Sequence, residues 1–551
     1  MMLVAIGLNL LMGYAGLVSL GHGALVAIGG YTTALLMVDA QISFWIASLA
    51  GVALATVTGV LMALPALRLS TWYFALVTLT FSQVVSDLLV EWKGVTKGFS
   101  GIVGIPAPSL FGRSLSPVEV YIVVAACVVL AFILSRNLVQ SRIGRGMVAA
   151  RDNPLAATAA GVSIWRIKLF AFAISAALAG LAGAFFAVQK TVITPEDFNA
   201  DFSIFFLLTI VVGGLGRLWG PVIGTLVFFL LPELLGPLQS WRLLIYGVIL
   251  LVLMVFAPHG ITGMKWWRRW FDRPASITVL DGEKRPVHAD PIQHVSLMIR
   301  GLKKHFGGVK ALDGCDLHAD SAFVHALVGP NGSGKTTILN AISGFVQADE
   351  GSIIIGSVNV MKMAPYQIAR LGVGRTFQTP KLLNDMTVLD NVQLGGFVSE
   401  KASAFEIALR LARASRDQAE GQTNAMELLL FVGLAERAND IAGDLPHGQQ
   451  RLVEIARAMV SRPSLLLLDE PAAGLSLAEL DRLGILIEAI VAKGTTVLVV
   501  EHHLELIARI SRSVTVLDRG CVLADGTPDE VFSHPEVERA YMGREAMRGA
   551  K

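Results

Sequence analysis

Long apolar runs separated by short polar breaks fill the first 264 residues, and runs of about 20 are long enough to cross a hydrocarbon core as helices. The pattern predicts spans near residues 2–20, 42–64, 70–90, 117–134, 168–188, 202–231 and 242–258, with a shorter apolar piece at 23–38 that reads as a half-helix. The 202–231 run is interrupted by "GGLGRLWGP" at 213–221. A break at membrane depth survives only where protein or a water-filled cavity satisfies the freed backbone groups. This stretch therefore reads as a pathway lining or as a tight turn between two short spans. Ala176, Gly180 and Ala184 recur four apart on one helix face, where small side chains let a second helix approach closely.

The pattern changes after residue 295. Short apolar strands now appear: 323–328 before a glycine loop and a helix from about Lys335, four leucines at 465–468, and another buried run at 495–500. Residues 272–292 are polar, proline-dotted and without periodicity, which reads as a linker. The predicted architecture is an α-helical multi-span membrane domain (1–264), an interfacial anchor and linker (265–294), and a P-loop α/β domain (295–545).

Composition sharpens this division. The chain is 54% hydrophobic with mean hydropathy +0.61, too oily for an ordinary cytosolic enzyme. The first 264 residues hold 22 charged side chains and the remaining 287 hold 66. The second share, 66 of 287 or about 23%, is close to the roughly 25% typical of globular domains. A net charge of +2 argues against a nucleic-acid-binding body. Cys127, Cys315 and Cys521 are far apart and form no CxxC pair, which speaks against a disulfide framework or a cysteine zinc site. The first residues have no basic stretch and run into further apolar segments, unlike a cleaved secretory signal. Six basic residues (Arg136, Arg142, Arg145, Arg151, Arg166, Lys168) against one acid, Asp152, place the 136–168 loop on the cytoplasmic side. Lys265, Arg268 and Arg269 among Trp266, Trp267 and Trp270 read as a cytoplasmic interfacial anchor and agree with that orientation.

Candidate chemistry sits in the second half. Gly329-Pro330-Asn331-Gly332-Ser333-Gly334-Lys335-Thr336, followed by Thr337, is a phosphate loop in strand–loop–helix context. Its glycines let successive N–H groups and the helix N-terminus face phosphate oxygens. Lys335 adds a point charge, and the Thr336 hydroxyl reaches Mg²⁺. The four leucines end in Asp469 and Glu470, delivering carboxylates to the edge of a parallel sheet. Asp469 suits Mg²⁺, and Glu470 can polarise the attacking water. The 495–500 run ends in Glu501-His502-His503. His502 can contact the γ-phosphate or the water, and adjacent histidines diverge on a strand, against a metal pair.

These residues, together with "RTFQTPKLL" (Gln378), "LPHGQQRLVEIARAM" (445–459), "LLLLDEPAAGLS" and "VEHH" in this order, resemble the ATPase domain of an ATP-binding cassette (ABC) transporter. The resemblance implies ATP and Mg²⁺ as cofactors, Glu470, His502 and Gln378 as catalytic residues, and Thr336, Gln378 and Asp469 around the metal. It implies that Phe306 stacks on adenine, while the residues alone equally allow it to pack in the core. Gly448 and Gln449 would complete a partner's site, since such cassettes pair head to tail. Pro446 and His447 depart from the usual Ser and Gly of that signature. Proline there resembles branched-chain amino acid importers.

The first half, including "SRIGRGMVAARDNPLAATAAGVSIWRIKLFAFAISAALAGLAGAFFA" and "GGLGRLWGPVIGTL", is similar to the permease subunits of those importers. That resemblance makes 145–166, with Gly161, the segment coupling membrane to cassette. It implies a second permease subunit and a second cassette (a hetero-oligomer, or a homodimer), an external solute-binding protein, membrane lipid, and a bacterial inner-membrane location with the cassette in the cytoplasm. Met1 falls inside what resembles an early family helix, so either an upstream span is missing or the start lies further upstream. Branched-chain or related small amino acids are the expected cargo, with urea, short amides or aromatic acids as the alternative. An export half-transporter and a membrane-anchored remodelling ATPase are the competing classes. Asp87 and Glu91, one turn apart near a span end, read either as solvated carboxylates or as facing a cavity.

Overall fold

The computed structural model describes residues 1–67, 71–234 and 294–539, with scattered positions between 244 and 267. These form two compact units. One comprises Met1–Asp152, Ile164–Thr278 and Ser403–Leu411, and the other Asn153–Ser163, Val279–Ala402 and Ala412–Lys551.

The first unit is helical. Among the described residues, four of its helices are long and apolar enough to cross a membrane: Phe44–Ala66, Trp72–Glu91, Pro117–Val139 and Ile164–Lys190. Two shorter apolar helices, Met2–Tyr14 and His22–Val38, stand where a span at 2–20 and a half-helix at 23–38 are expected. The first is shorter than a span because its last turn, Asn9–Tyr14, loosens to a π-helix and stops at Ala15. The expected span at 242–258 and the anchor and linker at 265–293 lie largely outside the described residues.

Ile164–Lys190 is the centre of this unit and packs against His22–Val38 and Phe44–Ala66. The predicted small-residue face is what permits it. A Cβ on Gly29 would fall 2.3 Å from the Gly180 carbonyl oxygen, and one on Gly183 would fall 2.0 Å from that of Val26. With backbones this close, dispersion between helices replaces the hydrophobic drive that lipid cannot supply. The buried His22 ring bridges the Ser19 and Ser175 hydroxyls at 3.2 and 2.7 Å, linking the same two helices.

The broken 202–231 run resolves as a tight turn. Ala200–Gly213 and Gly220–Leu234 form a hairpin whose connecting backbone is held by the buried Asn9. Asn9 Nδ2 donates to the Arg217 carbonyl and its Oδ1 accepts from the Gly216 N–H, both at 2.9 Å. One amide thus serves both polarities of the turn, beside the turn's own bond from the Gly220 N–H to the Arg217 carbonyl at 3.1 Å. Asp87 and Glu91 are exposed, and Asp87 accepts from Gln83 at 3.0 Å.

The second unit is a two-sheet α/β body. Its main sheet runs in the order Val373–Arg375, Leu465–Asp469, Thr496–Val500, Val324–Val328, Ser513–Asp518 and Cys521–Gly526. The first five strands are parallel and the last pairs antiparallel at the edge. The leucine and valine runs are buried throughout, as strands covered on both faces must be. A second, antiparallel sheet contains Leu297–Phe306, Val309–Ala319, Glu350–Ile355 and Val358–Asn359.

Within this unit the short helix Pro154–Ala159, capped by Asn153 Oδ1 accepting from Ala156 N–H, packs on Pro365–Arg370. Gly161 follows at φ +81°, and a Cβ there would meet the Val398 side chain at 2.3 Å.

Replacing Gly29 by Ala inserts a methyl where the Gly180 backbone already sits. It should destabilise the helical unit by about 1–3 kcal/mol, read as a lower melting temperature of the detergent-solubilised chain. An unchanged melt would show that the helices are not packed at this distance.

Candidate active site: a phosphate loop facing two carboxylates

The carboxyl ends of the parallel strands collect the candidate residues. Val324–Val328 runs into the phosphate loop, which curls before the helix Lys335–Ile342. Gly334 has φ +109°, and a Cβ there would lie 2.6 Å from the Ala311 oxygen, so both conformation and space demand glycine. Lys335 is only 6% exposed, and its Nζ donates back to the Gly329 and Pro330 carbonyls at 2.8 and 3.0 Å. Burial lowers its pKa, opposed by the charges of Glu470 and Asp469. Thr336 is exposed in the first helical turn beside Thr337, while Asn331 and Gly332 form the exposed rim.

Asp469 ends Leu465–Asp469 at 2% exposure, with Oδ2 3.8 Å from Arg375 Nη2 and Oδ1 buried without a partner. Burial raises its pKa, and the Arg375 guanidinium opposes that. The buried Ser333 hydroxyl also has no partner. Unpaired buried acceptors and hydroxyls are costly unless something binds them. Beside the loop amides, this donor set fits a polyphosphate with a hard cation.

Glu470 stands one residue beyond, with its backbone in the left-handed region (φ +46°) and its N–H on the Val500 carbonyl at 2.9 Å. For a non-glycine residue that conformation costs about 1–3 kcal/mol and persists only where the surroundings impose it. Here it accompanies a carboxylate held from both sides. Oε2 accepts from Gln378 Nε2 at 2.9 Å and Oε1 lies 3.1 Å from His502 Nε2. The three predicted catalytic side chains therefore converge, although Gln378 is 92 residues and His502 32 residues from Glu470.

Phe306 is 49% exposed at the end of its strand, which excludes core packing, and Lys304 Nζ lies 5.4 Å from its ring centroid. Gly448 and Gln449 lie in the first turn of His447–Met459. Gln449 Oε1 is buried without a partner, and among the described residues no hydrogen bond joins this turn to the phosphate loop.

Two supporting residues escaped the sequence reading. Arg375 braces the loop helix, with Nη1 on the Leu339 carbonyl at 3.0 Å and Nη2 on Asn340 Oδ1 at 2.6 Å. Glu501 is 2% exposed and accepts from the Ala472 N–H at 2.5 Å and the His502 N–H at 3.0 Å, tying two site loops together. The only available signal was a charged residue ending an apolar strand.

Comparison with known proteins assigns these features. A family model described as "Branched-chain amino acid transport system / permease component" matches residues 1–258. "ABC transporter" matches 312–473, and "Branched-chain amino acid ATP-binding cassette transporter" matches 521–547. The high-affinity branched-chain amino acid transport ATP-binding protein LivG of Salmonella typhimurium is 40% identical over 248 residues, 45% of this chain and 97% of that protein. The chain belongs to the branched-chain amino acid ABC transporter family.

It carries the permease and the ATP-binding cassette on one polypeptide. BraF of Pseudomonas aeruginosa is 38% identical over the same length, covering 45% of this chain and 97% of its own. A crystal structure of the ADP conformation of an ATP-binding cassette from an ABC transporter is 32% identical, with TM-score 0.40, covering 45% of this chain and 99% of that one. The fusion is an ATPase coupled to transport and binds nucleotide at its cassette.

Glu470→Gln removes the charge while keeping the shape, and should reduce ATP turnover by about 10²-fold or more with nucleotide binding retained. Lys335→Ala should instead weaken nucleotide binding itself. Phosphate-release assays and fluorescent-nucleotide titration of the two variants separate these roles. Wild-type turnover in Glu470→Gln would remove Glu470 from the mechanism.

Proposed function

We propose that this fusion is one subunit of an importer, moving branched-chain or related small amino acids into the cytoplasm at the expense of ATP. What carries the reading is the permease match over 1–258 on the same chain as the cassette, with Gly161 and its helix packed into the cassette unit. Urea, short amides and aromatic acids are the alternative cargo.

Thr336, Gln378 and Asp469 would hold Mg²⁺, whose charge neutralises phosphate oxygens as the terminal phosphoryl group departs. The chain's own groups do the rest. The phosphate loop, residues 329–337, would bind the phosphates through backbone N–H groups and Lys335, and Phe306 would stack on the base. Glu470 would orient and polarise the attacking water, while Gln378 and His502 hold that carboxylate in place. Positioning and charge stabilisation account for most of phosphoryl-transfer catalysis. Gly448 and Gln449 would close the site of a second cassette, so the working unit has two cassettes and two permeases, with a solute-binding protein outside. A bacterial inner membrane suits the basic 136–168 loop on the cytoplasmic face.

Export is the weaker reading. Exporter helices run far beyond the bilayer, whereas the longest described helix here has 27 residues. At about 1.5 Å per residue that is roughly 40 Å, close to one bilayer with its headgroups.

Proteoliposomes containing the fusion, its partner subunits and the binding protein should hydrolyse ATP faster when branched-chain amino acids are supplied outside, and should accumulate them. ATPase indifferent to every solute, with no accumulation, would overturn the importer reading. In the same assay Gly161→Val should keep basal hydrolysis but lose most of the solute stimulation, because the added side chain collides with Val398. Full stimulation in that variant would show that this joint does not transmit the signal.

A further inference from the structure

The helix His447–Met459 carries Arg451, Glu454 and Arg457 at three-residue spacing, so they share one face, and all three are buried. Each reaches the backbone of 377–381, a segment in neither helix nor strand. Arg451 Nη1 and Nη2 donate to the Phe377 and Gln378 carbonyls at 2.6 and 2.7 Å. Arg457 Nη1 donates to the Lys381 carbonyl at 2.7 Å, and its Nη2 lies 3.3 Å from Glu454 Oε1. Glu454 accepts from the Lys381 N–H at 3.0 Å and the Phe377 N–H at 3.4 Å.

Both ends of the loop are therefore held through main-chain atoms, whatever its side chains. Gln378 belongs to the first grip through its carbonyl, and its side-chain amide reaches Glu470. Burial pushes the Glu454 carboxyl upward, opposed by Arg457 and by the two N–H groups. A buried ionic cluster of this kind is weak as a source of stability, because desolvation offsets its attraction, and its better-attested use is to fix one geometry.

We propose that Arg451, Glu454 and Arg457 are positioning residues that lock the 377–381 loop to this helix, so that the helix orientation sets where Gln378 meets Glu470. The first turn of the same helix holds Gly448 and Gln449. Under the function proposed above, which this consequence rests on, a partner's nucleotide engaging that turn acts on Gln378 of this chain's own site through one rigid element. Hydrolysis in the two sites is then geared together by buried charges that touch neither nucleotide.

A double-mutant cycle on the full-length fusion with its partner subunits in nanodiscs tests this. Glu454→Ala should lower kcat about tenfold or more by misplacing Gln378, with KM for ATP within about twofold of wild type. Gln378→Ala combined with Glu454→Ala should fall no further than Gln378→Ala alone, since both remove one action. Glu454→Gln keeps an acceptor for the Lys381 N–H and should recover kcat to within about threefold of wild type. Losses that multiply in the double variant, or kcat and KM shifting together with the melting temperature, would overturn the proposal and leave a merely structural cluster. Hydrogen exchange on the wild-type chain needs no variant. The Phe377 and Lys381 amides should be protected as strongly as the 447–459 helix, and rapid exchange there would also overturn it. A wild-type chain that hydrolyses no ATP would instead be a failure of the proposed function.

Discussion

The Glu470 carboxylate, set at φ +46° and bracketed by Gln378 and His502, is the constraint around which the cassette is organised. Its backbone pays a conformational cost that only the neighbouring strands can impose, since the Glu470 N–H is bound to Val500 of the next parallel strand. The carboxylate reaches both partners because the strands ending at Arg375, Asp469 and Val500 are adjacent in one sheet. A parallel sheet brings the carboxyl ends of its strands to one edge, and that edge is where ligands bind in open α/β folds. Asp469, with its unpartnered Oδ1, belongs to the same edge.

Around it the protein spends buried charge freely. Arg375, Arg451, Glu454, Arg457, Asp469 and Glu501 are all buried, and their partners are mostly main-chain groups of the site loops. A hydrophobic core would hold the sheet together as well. It could not hold irregular backbone in one conformation, because apolar contacts are non-directional whereas charge-assisted hydrogen bonds are directional.

The membrane unit obeys the opposite rule. Its helices approach through glycines, Gly29 on Gly180 and Gly183 on Val26, and buried polar groups such as Asn9, His22 and Ser203 serve the backbone or each other. Asn9 satisfies the 214–219 turn and Ser203 Oγ accepts from the Gly23 N–H. Two segments are placed by packing rather than by chain order. The 153–163 stretch belongs to the cassette unit, and 403–411, where the Ala408 carbonyl accepts from Asn137 at 2.7 Å, belongs to the helical one.

The sequence by itself determined the class of the chain, because apolar run length, charge density and the phosphate-loop spacing are local properties that survive without a fold. It also named Lys335, Thr336, Asp469, Glu470, Gln378 and His502, since each sits in a short motif. Tertiary structure decided what those motifs do to each other. No local pattern says that Gln378 and His502 grip opposite oxygens of Glu470, that a glycine-broken run is a turn held by Asn9, or that Arg451, Glu454 and Arg457 face a loop rather than solvent. Lone charges on an amphipathic helix look the same in either role. Only the direction and distance of their hydrogen bonds, fixed by elements far away in the chain, distinguish a solvated face from a clamp.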